Sequence, residues 1–284
     1  MAERVAQIAS HITYPRGLLA GQTAIITGSG QGIGAEAARL FAQEGAKVVI
    51  CDVDSAKAQS VVNEINSSGG QALAVSGDIT DKDYIDHLVK RAAEFGGGEI
   101  HIIVNNAGYT WDGVLHKMTD KQWSAMANIH GTAPFQLIRA AAPYFRIKDG
   151  KQRNNIGISS TSGVHGNAGQ SNYAFFKAGV SGLMKTIAKE WGPAFNVRAN
   201  TVAFGYIETR LTQAKETGAF ITGPDGEKIQ LGVPGRNGKS SFEDTPLRRS
   251  GSAQDAAKVI LAVCSPLFSY VTGQVISVTG GRNM

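Results

Sequence analysis

"TAIITGSGQGIGAEAARLFAQEG", Thr23 to Gly45, decides the fold. Its first five residues have the length and β-branched composition of a buried strand. The apolar spacing then changes to a helical period from Ile33 to Phe41, and Gly45 stops that helix. Gly28, Gly30, Gly32 and Gly34 join the two, letting the backbone turn tightly and pass close to a ligand. A helix that starts after such a turn offers free N–H groups and a positive dipole end to a pyrophosphate. The spacing is not the common GxGxxG, and the GxGxxA match from Gly30 to Ala35 is weak alone. Position after the first strand of a βαβ unit is what makes dinucleotide binding the expectation, through Gly28, Ser29, Gly32, Ile33 and Gly34.

The same alternation continues outward. "KVVIC" (47–51), "ALAVSGD" (72–78), "IHIIVNNAG" (100–108), "NNIGISS" (154–160), "NVRANTVA" (196–203) and "GQVISVT" (273–279) read as strands. Between them, residues 55–70, 81–97, 119–145, 171–192 and 252–265 carry helical periodicity. Thr80 is the expected N-cap of the third helix, and Thr119 with Gln122 a capping box opening the fourth. Continuous apolar strands joined by helices imply a parallel sheet covered on both faces. The fold class is therefore α/β, a Rossmann-type doubly wound sheet in a single domain, 21–284, after an N-terminal extension, 1–20. The segment 211–243 breaks the rhythm with Gly, Lys, Pro224 and Pro234. It is expected to be a lid over the substrate, the alternative being a disordered surface insertion.

Composition excludes several classes. Hydrophobic residues are 42% and charged residues 18% of 284, as in a soluble globular protein. Cys51 and Cys264 sit in apolar runs, so buried free thiols are expected rather than a disulfide framework or a metal site. No apolar run reaches the roughly 18 residues of a membrane span. The opening residues lack a secretory core and only weakly suggest a mitochondrial presequence, so a cytoplasmic location is expected. Net charge is +5 without a basic, aromatic-interleaved stripe, which argues against nucleic acid and fits an anionic cofactor or substrate.

Asp52 follows the second strand, 20 residues after Gly32. An acid there accepts hydrogen bonds from adenosine ribose hydroxyls and repels a 2′-phosphate. NAD(H) is the preferred cofactor, with NADP(H) not excluded; the other reading has Asp52 capping the next helix. Tyr173 and Lys177 stand four apart, on one helix face, with Phe175 and Phe176 turned toward packing. An ammonium beside a phenol favours phenolate, which would bring a group that titrates near 10 within use as an acid or base. Ser160, 13 residues before Tyr173, ends the fifth strand, at the sheet edge where open α/β folds bind ligands. Ser159 is its alternative.

Taken in order, "TGSGQGIG", "GDIT", "NNAG", Asn128 in "ANIHG", "ISS", "YAFFK", "VRANTVAFGYIET" and the tail "PLRRSG…SYVTGQVISVTGG" resemble the short-chain dehydrogenase/reductase family, its 3-oxoacyl reductase-like branch especially. The resemblance covers residues 20–284. It implies hydride transfer between a nicotinamide and a small-molecule carbonyl or secondary alcohol, with Tyr173 as general acid/base. Lys177 would lower the phenol's pKa and bind the nicotinamide ribose, Ser160 orient the carbonyl, and Asn128 shape the long helix and hold a relay water. It further implies that Asp78 and Ile79 flank the adenine, that Asn106, Ala107 and Gly108 line the cofactor, and that Ile207 and Thr209 meet the carboxamide. A homodimer or tetramer, packed through 120–145 and 171–190, is also implied. His165, Phe204 and Tyr206 are candidates for the substrate pocket, while His116 and His130 read as packing or surface residues. Phe204 stands where the family usually has proline, leaving the local turn open to change. Two other readings of the scaffold are a biosynthetic cyclisation or dehydration and a nucleotide-binding sensor without catalysis.

Overall fold

The computed structural model describes Tyr14 and residues 17–212, 218–223, 226–231 and 242–282. Seven parallel strands form one sheet in the order β3-β2-β1-β4-β5-β6-β9. They are β1 (Thr23–Thr27), β2 (Lys47–Cys51), β3 (Gln71–Ala74), β4 (Ile102–Asn105), β5 (Arg153–Ser160), β6 (Val197–Phe204) and β9 (Val275–Val278). Helices α1 (Gly32–Gln43), α2 (Ser55–Ser67) and α8 (Ala253–Cys264) cover one face. Helices α3 (Lys82–Phe95), α5 (Ala133–Phe145) and α7 (Ser171–Phe195) cover the other.

Strand periodicity explains the two layers. Ile26, Val48, Ile50 and Val104 face Phe41 and Ile260; Ile25, Val49 and Ile103 face Leu88, Leu137 and Met184. Side chains such as Phe41, Ile25 and Leu88 are fully buried, each stabilising the fold by about 1.5–3 kcal/mol. Leu19 is also fully buried and its N–H donates to Glu44 O, so the domain takes in residues assigned by sequence to the extension. Most of that extension lies outside the described residues.

Several local expectations change. The N-cap of α3 is Asp81, whose carboxylate accepts from Asp83 N–H; Thr80 is instead held by Asp78 Oδ1, through its N–H and its hydroxyl. The helix over 119–145 is opened by the Thr119–Gln122 box, but comprises α4 (Asp120–Ala127), a π turn (Asn128–Thr132) and α5. The segment after β6 contains a hairpin, β7 (Phe220–Thr222) with β8 (Lys228–Gln230), in which Ile229 is buried along with Leu231. Pro224 and Pro234 lie outside the described residues. Phe175 is 61% exposed, its ring meeting Trp123 at a tilt and Phe176 edge-on.

An ionic cluster closes the edge of the sheet where the strands begin. Arg153 is fully buried, donates to both Asp149 oxygens at 2.8 Å and reaches Glu99 at 3.1 Å. Glu99 also accepts from Lys151 and from His101 Nε2, while His101 Nδ1 accepts from Thr23 N–H. The opposite edge, where the strands end, opens into a cleft.

Candidate active site

The glycine turn lies between β1 and α1. Gly28 has φ +63°, and a Cβ at Gly34 would stand 2.3 Å from Gly28 O, so the helix can approach the turn only as glycine. Asn106 braces the turn from β4, its amide donating to Thr27 O at 2.8 Å and to Gly28 O at 3.2 Å. Thr27 Oγ1 in turn accepts from the N–H groups of Asn106 and Ala107. Ser29 turns inward, its hydroxyl donating to Ile26 O and accepting from Cys51 N–H while its own N–H donates to Cys51 O, so it serves the turn rather than the cleft. No acidic side chain stands in the first turn of α1, so nothing on that turn repels an anion at the positive end of the helix dipole. These features fit a dinucleotide: Ile33, Asn106 and Gly108 line the cleft beside them.

Asp52 does not cap α2; Asp54 does, accepting from Lys57 N–H. The two carboxylate oxygens of Asp52 accept from Gly30 N–H at 2.9 Å and Asp54 N–H at 3.1 Å. Asp78 is exposed and outside the lining of the cleft, while Ile79 packs against the core beneath.

The cleft, about 460 Å³, brings Ser160, Tyr173 and Lys177 together at the C-terminal ends of β5 and β6. Ser159 is excluded as the reacting serine because its hydroxyl is buried against Lys177 O, donating at 2.6 Å. Ser160 ends β5, accepts from Ser162 N–H and lines the same cleft as Tyr173. Lys177 is buried; its ammonium donates to Ile158 O at 2.7 Å and lies 5.6 Å from the Tyr173 ring centre. Burial pushes the phenol up to about 12, with Ser160 pulling it back and the Asp112 charge pushing it further up. Burial also brings the Lys177 amine down to about 7. The phenol thus stands above its ordinary value beside Lys177, with burial the largest cause. Tyr173 therefore holds its proton at neutral pH.

Asn128 opens the π turn within the long helix. It is exposed and outside the lining, whereas His130, two residues on, is buried and lines the cleft. His130 Nε2 lies 2.8 Å from Tyr109 O, and its ring meets the Tyr173 ring edge-on, centroids 5.1 Å apart. Its place on the inward stripe with Met126 and Ile129 was the available signal. Phe204, Tyr206, Ile207 and Thr209 line the cleft; His165 is exposed and does not, although Gly166 and Asn167 do.

A seven-strand doubly wound sheet with serine, tyrosine and lysine at its C-terminal edge defines a dinucleotide-dependent oxidoreductase of the short-chain type. The chain belongs to the short-chain dehydrogenase/reductase family: the family model described as enoyl-(acyl carrier protein) reductase matches residues 28–283. It is 37% identical over 265 residues to the 3-oxoacyl-[acyl-carrier-protein] reductase FabG of Thermotoga maritima, covering 93% of this chain and 98% of that relative. The Chlamydia trachomatis FabG is 34% identical, covering 93% and 98%. Among solved structures, 7α-hydroxysteroid dehydrogenase complexed with NADH and 7-oxo glycochenodeoxycholic acid superposes with a TM-score of 0.79 at 34% identity, covering 93% of this chain and 95% of that one. A dehydrogenase/reductase from Sinorhizobium meliloti gives 0.78 at 30%, covering 94% and 96%. The protein is thus an oxidoreductase that moves hydride with a nicotinamide cofactor. Among the described residues no helix is long and apolar enough to cross a membrane.

Proposed function

We propose that this protein reduces a carbonyl, or oxidises the matching secondary alcohol, with Tyr173 exchanging the proton at the substrate oxygen. The observation that carries the reading is the convergence of the Ser160 hydroxyl and the Tyr173 phenol in one cleft, with Lys177 buried behind the ring. A bound nicotinamide supplies or accepts the hydride. Ser160 orients the carbonyl oxygen, Tyr173 gives it a proton, and Lys177 limits the charge left on the phenol. Gly28, Gly32, Ile33 and Gly34, with Asn106 and Gly108, would hold the dinucleotide, and Ile207 and Thr209 its carboxamide end. NAD(H) is the preferred form, since the Asp52 carboxylate is fixed beside the turn by Gly30.

Two substrate classes follow from the relatives' names: a 3-oxoacyl thioester and a ring ketone of the oxo-steroid kind. The described ends of the 211–243 segment support its role as a lid. Leu211 and Thr212 line the cleft, and Glu227 in the hairpin pairs at 2.6 Å with Lys121 on α4. Self-association through α4, α5 and α7 is supported by exposed Trp123, Phe135 and Phe175 on those helices. The test is nicotinamide absorbance during turnover of a carbonyl panel with NADH and NADPH. Cofactor binding without consumption across both substrate classes would overturn the reading.

A further inference from the structure

Arg282 lines the cleft, yet neither the glycine turn nor the Ser160–Tyr173–Lys177 set uses it. Its place is built by the chain that follows β9. Leu247 N–H donates to Gly280 O at 3.1 Å, and Thr245 beneath is buried. Gly281 has φ +91°, and a Cβ there would stand 2.7 Å from Pro246 Cγ, so only glycine lets the chain lie this close. The Arg282 side chain is 38% exposed, and its Nη2 pairs with Asp244 at 2.5 Å. Asp244 stands outside the lining of the cleft. A guanidinium has five N–H donors, and this pair leaves Nε and Nη1 without a partner among the described residues.

Strand order locates the cation. Arg282 follows β9, two strands from Ser160 at the end of β5, about 10 Å across the sheet. The glycine turn after β1 is four strands away, about 19 Å, which puts a pyrophosphate held there out of reach. Apart from Lys177, the charged side chains of the lining are Arg282 and Asp112. Asp112 follows β4, and the Gln170 amide donates to it at 3.2 Å. By strand order the cleft has a negative end at β4 and a positive end at β9, with Ser160 between them.

We propose that the substrate is a carbonyl compound carrying an anionic group, a carboxylate or a phosphate, which Arg282 binds at the β9 end of the cleft. The inference rests on the carbonyl reading above and narrows its substrate. The planar guanidinium suits either anion, and its charge does not titrate near neutral pH. Asp112 repels the same group from the β4 end, so the two charges set which way round the molecule lies.

The test compares KM for 7-oxooctanoate, its methyl ester and the matching oxoalkyl phosphate with reduced nicotinamide. At least one anion should show a KM about tenfold or more below that of the ester, and high salt should narrow the gap. Arg282→Gln should close the gap, and Arg282→Lys, which keeps the charge without the fork, should restore part of it. Asp244→Asn removes a like charge beside the bound anion and should lower its KM further, a gain that misfolding does not mimic. Equal KM for the ester and both anions would overturn the proposal, as would a gap that survives Arg282→Gln or an anion KM that rises in Asp244→Asn. Calorimetric titration of octanoate and octanamide, which have no ketone, into the nucleotide-bound enzyme separates this inference from the reading beneath it. Octanoate bound more tightly than octanamide, and lost in Arg282→Gln, upholds the anion site even if no ketone is turned over. Ketone turnover with no preference for either anion refutes the site and leaves the carbonyl reading standing.

Discussion

Replacing Asp52 with asparagine should relax the proposed preference for NADH. Asp52 Oδ2 accepts from Gly30 N–H at 2.9 Å, and asparagine keeps an oxygen for that bond while removing the charge. With an adenosine ribose at this carboxylate, a 2′-phosphate would stand about 4 Å from it. Each pair of unit charges at that distance costs about 1 kcal/mol in water and about 4 kcal/mol near a protein surface. A phosphate of nearly two charges is therefore disfavoured by roughly 2 kcal/mol at the least, about thirtyfold in affinity. Asp52→Asn should recover at least that factor in Kd for NADPH and change Kd for NADH by less than about tenfold. Nicotinamide fluorescence titrations of the wild type and Asp52→Asn measure it, at low and high salt because screening weakens the effect. A wild type that binds NADPH as tightly as NADH, or a variant whose NADPH affinity does not move, would refute the reasoning.

Tyr173→Phe should lower kcat by about 10²–10⁴-fold while nucleotide still binds, checked by steady-state kinetics beside fluorescence binding. His101 gives an acid limb of stability. Burial, with the Arg153 charge, holds its folded pKa below 6.5, so the unfolded chain takes up the proton first. Its contribution is fully present above 6.5 and is lost as pH falls below that value, which denaturant melts at a series of pH values should show, and His101→Gln should flatten. Lys121→Ala removes the partner of Glu227 and should speed proteolytic cutting of the 211–243 segment; an unchanged cutting rate would remove that pair from any role in holding the lid. Phe204→Pro removes an N–H from the end of β6, where Phe204 pairs with Ser160 and Val278, and should alter cofactor KM; unaltered KM and turnover would make the departure from proline neutral.

The sheet was legible because its signal is redundant. Runs such as Ile25–Ile26 and Val48–Ile50 are apolar on both faces, and each is followed by a helical period. Ser160 and Tyr173 were legible because their places at a strand end and a helix start follow from the same pattern. Asn128 was not, because an asparagine in a motif carries no information about helical phase: two residues turn the side chain about 200°, and the π turn falls within that step. Phases like this are set by packing against α7. Thr80 and Asp81 are both good caps, and the choice fell to Asp78, which engages Thr80 first. Desolvation of Lys177 and Tyr173 was equally hidden, since burial at a cleft depends on chains that meet only in the folded state.

Strand β5 runs from Arg153, locked among Glu99 and Asp149, to Ser160 beside the phenol. Eight residues therefore join a buried ionic cluster at one rim of the sheet to the cleft at the other. Variants made along this one strand should separate into two populations, those at its start altering melting with native KM and those at its end altering turnover with native melting. An enzyme arranged this way can be toughened at one rim without touching its chemistry at the other.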